Sequence, residues 1–119
     1  VGAQSDWDLP VDEFTTVQDT LTVTSTTPIA FSSVTTQGAD ILGQERDFYL
    51  EFTGGGRNIQ LDVDEGYLAH SQGSGAYGYS LISWDGIDND GETVDKDGLE
   101  GVDLTNAGSQ DRFYIHAEE

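Results

Sequence analysis

The chain has no cysteine, no methionine, two prolines and only four basic residues, Arg46, Arg57, Lys96 and Arg112, among 119 positions. Each shortage excludes something. Without cysteine there is no disulfide staple, no thiol nucleophile and no thiolate ligand. Four cations against 23 carboxylates leave a formal net charge of −19. That balance excludes nucleic acid and anionic membrane surfaces as partners, because both demand a basic footprint. The same field attracts cations and holds monomers apart. No apolar run approaches the ~20 residues of a membrane-spanning helix, so membrane insertion is not expected. The opening Val1-Gly2-Ala3-Gln4 lacks an initiator methionine. It reads as a mature end left by removal of a signal peptide, which places the protein outside the cell or at its surface.

Catalytic signatures are also missing. His70 and His116 stand in no metal-ligand spacing and are expected to face solvent along their strands. No serine lies in a nucleophile elbow. Carboxylate pairs could in principle hydrolyse glycosides, but that chemistry needs a cleft and one raised pKa, for which a small sandwich with solvated loops is a poor candidate. No catalytic residue is assigned and an enzyme is not expected. Gly54-Gly55-Gly56 lies between two strands and not before a helix, so it is a turn and not a phosphate cradle.

What is present alternates with period two. Residues 19–27, DTLTVTSTT, place Leu21 and Val23 on one face and threonines on the other. Pro28 ends that run and residues 29–36 start another. DFYLEFT-GGG-RNIQLDV reads as a hairpin, with Phe48, Leu50 and Phe52 on one face and Ile59, Leu61 and Val63 as the facing set. Asp64-Glu65-Gly66 turns the chain into residues 67–71, residues 72–78 form a loop, and residues 79–84, 101–105 and 112–117 complete the set. Seven to nine short strands with frequent turns predict an all-β fold, an antiparallel β-sandwich for which a jelly roll is one connectivity. Residues 15–119 form that domain. Residues 1–14 find no partner in the pattern and read as an extended N-terminal arm, a donor segment. Its Trp7, Leu9, Val11 and Phe14 are the residues that would contact another surface, and Trp7 in particular has nothing local to cover it.

The stretch SWDGIDNDGETVDKDGLEG, residues 83–101, is the densest in charge. Calcium takes six to eight oxygens, from carboxylates, amides and carbonyls. Asp88-Asn89-Asp90-Gly91 and Asp95-Lys96-Asp97-Gly98 each match half of an EF-hand loop and lack its first ligand, with Gly86 and Thr93 in that place. Two readings therefore stand. One is an irregular calcium site drawn from Asp85, Asp88, Asn89, Asp90, Asp95 and Asp97. The other is a hydrated cluster of Asp/Gly turns. Trp84, Tyr67, Tyr77 and Tyr79 could form a sugar-stacking face, although aromatics on a half-buried sheet are more often core.

The stretches Ile41-Leu42-Gly43-Gln44-Glu45-Arg46-Asp47, Trp84-Asp85-Gly86 and Gly98-Leu99-Glu100-Gly101-Val102-Asp103-Leu104, followed by Asp111-Arg112-Phe113, occur in that order. Over residues 40–113 the chain resembles secreted bacterial surface proteins, common in cyanobacteria and planctomycetes, with ILGGERD-, WDG- and LGG-DLT-like motifs and often a PEP-CTERM sorting tail. Gln44 and Glu100 replace glycines usual in that family, and no sorting tail precedes Glu119. The resemblance implies an exported, surface-attached or matrix protein and carries no catalytic residues. Together with the arm, the expectation is a structural subunit of an extracellular filament or matrix, assembled from copies of itself by strand exchange and cemented by Ca2+. The alternative is a calcium-dependent glycan-binding or adhesion module.

Overall fold

The computed structural model describes residues 10–102 and 108. Six strands form: β1 (Gln18–Thr24), β2 (Ile29–Thr35), β3 (Glu45–Gly54), β4 (Asn58–Asp64), β5 (Tyr67–Gln72) and β6 (Tyr77–Ser83). They make two antiparallel three-stranded sheets, β1-β4-β5 and β2-β3-β6, packed against each other as a β-sandwich. No α-helix occurs among the described residues, and none there is long and apolar enough to cross a membrane.

The core is made by the inward residues of the two central strands. Phe48, Leu50 and Phe52 of β3 meet Ile59, Leu61 and Val63 of β4, with Val23 and Ala76 closing the cluster. Burying each large member stabilises the fold by roughly 1.5–3 kcal/mol. These two strands do not form the hairpin that the pattern suggests. They lie in different sheets, and the Gly54-Gly55-Gly56 connection carries the chain across the sandwich. The facing apolar sets therefore touch through the core rather than along a ladder. The hairpin that does form is β4–β5, through Glu65 and Gly66 with φ of +52° and +85°. Both positive values are those of a type I′ turn, whose twist suits two strands.

β6 extends the inner face alongside β3 in the same sheet, with Gly78 beside Phe52, Ser80 beside Leu50 and Ile82 beside Phe48. Gly78 is required by close approach. A Cβ there would stand 2.2 Å from the Glu51 carbonyl oxygen and 2.4 Å from Ile59 Cδ1. Gly78→Ala is expected to cost about 1–3 kcal/mol through overpacking, read as a lower urea midpoint at unchanged m-value. His70 is exposed, as its sequence context suggests, yet it is not free: its ring nitrogens contact Ser80 and Gln72, so it bridges the two sheets at their β5–β6 edge. His116 and the expected strand at 112–117 lie outside the described residues. Of the expected strand at 101–105, Gly101 and Val102 are described and are not strand.

Part of the supposed arm is seated on its own sandwich. Asp12 forms a β-bridge with Ile41. Leu42 N–H donates to Val11 O at 2.7 Å and Glu13 N–H to Asp40 O at 3.0 Å. Phe14 packs against the core cluster. Trp7 and Leu9 lie outside the described residues.

Candidate metal centre

Successive residues of a strand point to opposite faces, and the first three residues of β3 use this to hold two polar sites. Arg46 shares the inner face with Phe48, Leu50 and Phe52 and is fully buried. Its Nε and Nη2 donate to the two oxygens of Asp12 at 2.6 and 2.8 Å, and Nη1 donates to Thr16 O at 2.9 Å. Trp84 Nε1 donates to the same Asp12 at 2.8 Å. The guanidinium also lies over the Phe14 ring, 5.5 Å from its centroid, a cation–π contact.

Glu45 and Asp47 face the other way, out of the β2-β3-β6 sheet, and are nonetheless buried. The chain after β6 covers them. Asp85 and Asp88 come down from that cover, and the four carboxylates each offer an oxygen within 4.8 Å of every other. The protein has fixed these groups with its own donors. Glu45 accepts the backbone N–H groups of Asp88 and Asn89 at 3.0 Å. Asp47 Oδ1 accepts Ser33 Oγ–H at 2.6 Å, Asp85 Oδ2 accepts Asp95 N–H at 2.6 Å, and Asp88 Oδ1 accepts Asp90 N–H at 3.0 Å. Two of the buried oxygens, Asp47 Oδ2 and Asp85 Oδ1, have no hydrogen-bond partner among the described residues.

Buried acceptors without donors are costly, and buried carboxylates more so. The electrostatics register that cost. Burial, the approach of Asp85 and the charges of Glu45 and Asp85 push Asp47 up to about 8, against the opposing hydrogen bond from Ser33. Burial, with the nearness of Glu45 and Asp85, also raises Asp88, opposed by the Asp90 N–H. Arg46, between two members of the cluster in sequence, is turned away and engaged by Asp12. A metal ion held by oxygen alone could supply the missing positive charge. All four donors are carboxylates, which suit hard cations rather than thiophilic ones.

The backbone is arranged for this convergence. Ile41 to Asp47, Trp84 to Gly86, and Gly98 to Leu99 are remote in sequence and meet here. A Cβ on Gly98 would stand 1.5 Å from Asp85 O, and one on Gly43 would stand 2.6 Å from the Leu99 side chain and 3.1 Å from Gly86. Glycine at these positions lets the cover lie directly on the end of the sheet.

Of the six sequence-derived candidates the structure brings Asp85 and Asp88 into the cluster. Asn89 contributes its N–H to Glu45. Asp90 accepts from Glu92 N–H, Thr93 N–H and Thr93 Oγ1–H, which hold its carboxyl below the usual range, the Thr93 hydroxyl most strongly. Asp95 gives its N–H to Asp85 and accepts Asp97 N–H, and Asp97 is exposed. Glu45 and Asp47 are not among the candidates, because they sit on a strand some 40 residues upstream. Their signal is three consecutive charges, Glu45-Arg46-Asp47, leading directly into core sequence.

A cleft of about 280 Å³ lies beside the cluster, between the outer sheet face at Tyr49, Tyr79, Leu81 and Ser83 and the covering segment at 91–94. Tyr49 and Tyr79 both donate to Glu51 Oε1, at 2.7 and 2.9 Å. Tyr67, Tyr77 and Tyr79 are exposed and not core, while Trp84 is turned to Asp12. Comparison with protein-family models, with curated proteins and with solved structures finds no match to the chain.

Proposed function

We propose that this chain is an exported structural protein, a calcium-stapled β-sandwich that serves as a subunit of an extracellular filament or matrix. The observation that carries the reading is the buried Glu45–Asp47–Asp85–Asp88 cluster with its two partnerless oxygens. Calcium–oxygen distances near 2.4 Å place oxygens on opposite sides of the ion about 4.8 Å apart, so the four carboxylates fit one coordination sphere. The ion would fasten the acidic segment to β3 and remove the repulsion within it. At net −19, side-by-side packing of copies also needs cations between them. Strand exchange would reuse a pairing already present in the fold, with residues 11–13 of one copy lying along residues 40–42 of the next. Such head-to-tail addition does not close and gives filaments. The stretches at 41–47 and 84–86, on which the resemblance to exported surface proteins rests, supply residues to the site.

A second reading is favoured by the Tyr49–Tyr79–Leu81 cleft, whose half-buried Tyr49, exposed Tyr79 and nearby carboxylates suit a neutral glycan in a calcium-dependent adhesion module. One pair of measurements weighs both. Calcium at a hundredfold over its Kd should stabilise the protein by about 2.7 kcal/mol, with no gain in EGTA. Electron microscopy should show assemblies that disperse on chelation. Stabilisation with single particles in both conditions would sink the filament and leave the adhesion module, and no stabilisation would sink the metal site.

A further inference from the structure

We propose that occupancy of the carboxylate cluster sets how firmly residues 10–14 are held, with the Trp84–Asp12 hydrogen bond as the connection. The inference rests on the metal reading above and goes beyond it.

Two short stretches contribute to both sites. In Glu45-Arg46-Asp47 the outer residues belong to the cluster and the middle one grips Asp12. In Trp84-Asp85 the first residue donates to Asp12 at 2.8 Å and the second is a cluster carboxylate. Asp12 is the point where the N-terminal segment is fastened. Its side chain is 1% exposed and receives Arg46 twice, Trp84 Nε1 and the Phe14 N–H. The remaining backbone hydrogen bonds described for the segment come from residues 40–42, directly before the cluster strand. The segment is thus held from one side by the β3 end and from the other by Trp84.

Those two sides respond differently to loss of the ion. Glu45 and Asp47 are held in β3, Asp47 by pairing on both sides and Glu45 by pairing with β2 alone, so they have little room to move apart. Asp85 and Asp88 lie beyond the end of β6, so mutual repulsion is relieved by lifting them off the sheet. Trp84 is covalently next to Asp85 and moves with it, which lengthens its bond to Asp12. A cation reverses this by drawing Asp85 towards Asp47. Coupling of this kind is reciprocal, so a firmly held segment also favours the ion. The slot grips an Asp12 segment whether it comes from the same copy or a neighbour, so calcium would strengthen a strand-exchanged junction by the same route.

The test is amide hydrogen exchange on the full chain, in saturating calcium chloride and in EGTA, beside calorimetric titration with calcium. The amides of Glu13, Phe14 and Leu42 should exchange about tenfold more slowly in calcium, within the usual range of such couplings. Trp84→Phe keeps an aromatic ring and removes the donor. It should still give a calcium isotherm, with most of the protection at those three amides lost. Binding heat with unchanged exchange in the wild type would overturn the latch and leave the metal site standing. Protection in Trp84→Phe as large as in the wild type would overturn the route through Trp84. Absence of binding heat would overturn the metal reading and this inference with it.

Discussion

Asp12→Ala is expected to lower folding stability by about 3–5 kcal/mol, the usual result of removing one partner from a buried ion pair. The residue left behind decides the size of the loss. Arg46 is fully buried and cannot turn to water, because its side chain lies under Phe14 between the sheets. Trp84 Nε1 and the Phe14 N–H lose their acceptor in the same step. Against a total stability of about 5–15 kcal/mol for a domain of this size, that is a large share of the whole. The loss belongs to the orphaned cation more than to the missing contact, which a second variant can separate. In Asp12→Asn/Arg46→Met both charges are gone, the volumes stay close and an amide oxygen remains to accept from Trp84, so stability should recover by a large part of the single-variant loss. Urea unfolding of the two proteins checks this. A cost under about 1 kcal/mol for Asp12→Ala would mean that water reaches Arg46 and that the pair behaves as a surface salt bridge.

The sequence made one side of this architecture legible and hid the other, for physical reasons. Period-two alternation identifies Phe48, Leu50 and Phe52, and Ile59, Leu61 and Val63, as inner faces, and all six are buried. It does not reveal that β3 and β4 face each other across the core. Alternation reports which side of a strand is apolar. It is silent on whether the opposing set lies about 4.8 Å away along a ladder or about 10 Å away across a sandwich, and three glycines permit either path. The acidic stretch is legible as turn chemistry. Asp88, Asp90 and Asp95 each accept the N–H two residues ahead, the Asx-turn habit of aspartate. The metal candidates are half legible for the same reason. Proximity in sequence collects Asp90, Asp95 and Asp97 with Asp85 and Asp88, whereas the fold completes the cluster from β3. Local spacing cannot see ligands brought from a strand some 40 residues earlier.

The cluster should make the protein's response to calcium depend strongly on pH. Burial is the main cause that pushes Asp47 up to about 8 from an unfolded value of 3.8, and Asp88 is raised as well. A carboxyl raised on folding favours the native state while both states are protonated, below about pH 4. That contribution is lost as pH climbs through the folded value. In EGTA, stability should therefore fall between about pH 4 and pH 8. Calcium demands the ionised form and releases the proton on binding, so its affinity should rise over the same window. The melting curves with and without calcium should lie close together in acid and separate steadily towards pH 8. Asp47→Asn removes the charge at nearly constant shape and places an amide donor beside Asp85 and Glu45. At pH 8 in EGTA it should be more stable than the wild type by about 1.5–3 kcal/mol, the worth of a hydrogen bond to a charged group. In calcium it should gain little or nothing, because one ligand is neutral. A wild type whose calcium stabilisation is the same at pH 5 and pH 8 would show that Asp47 does not titrate in this window. An Asp47→Asn variant less stable than the wild type in EGTA would show that the four carboxylates are already relieved of their repulsion without an ion.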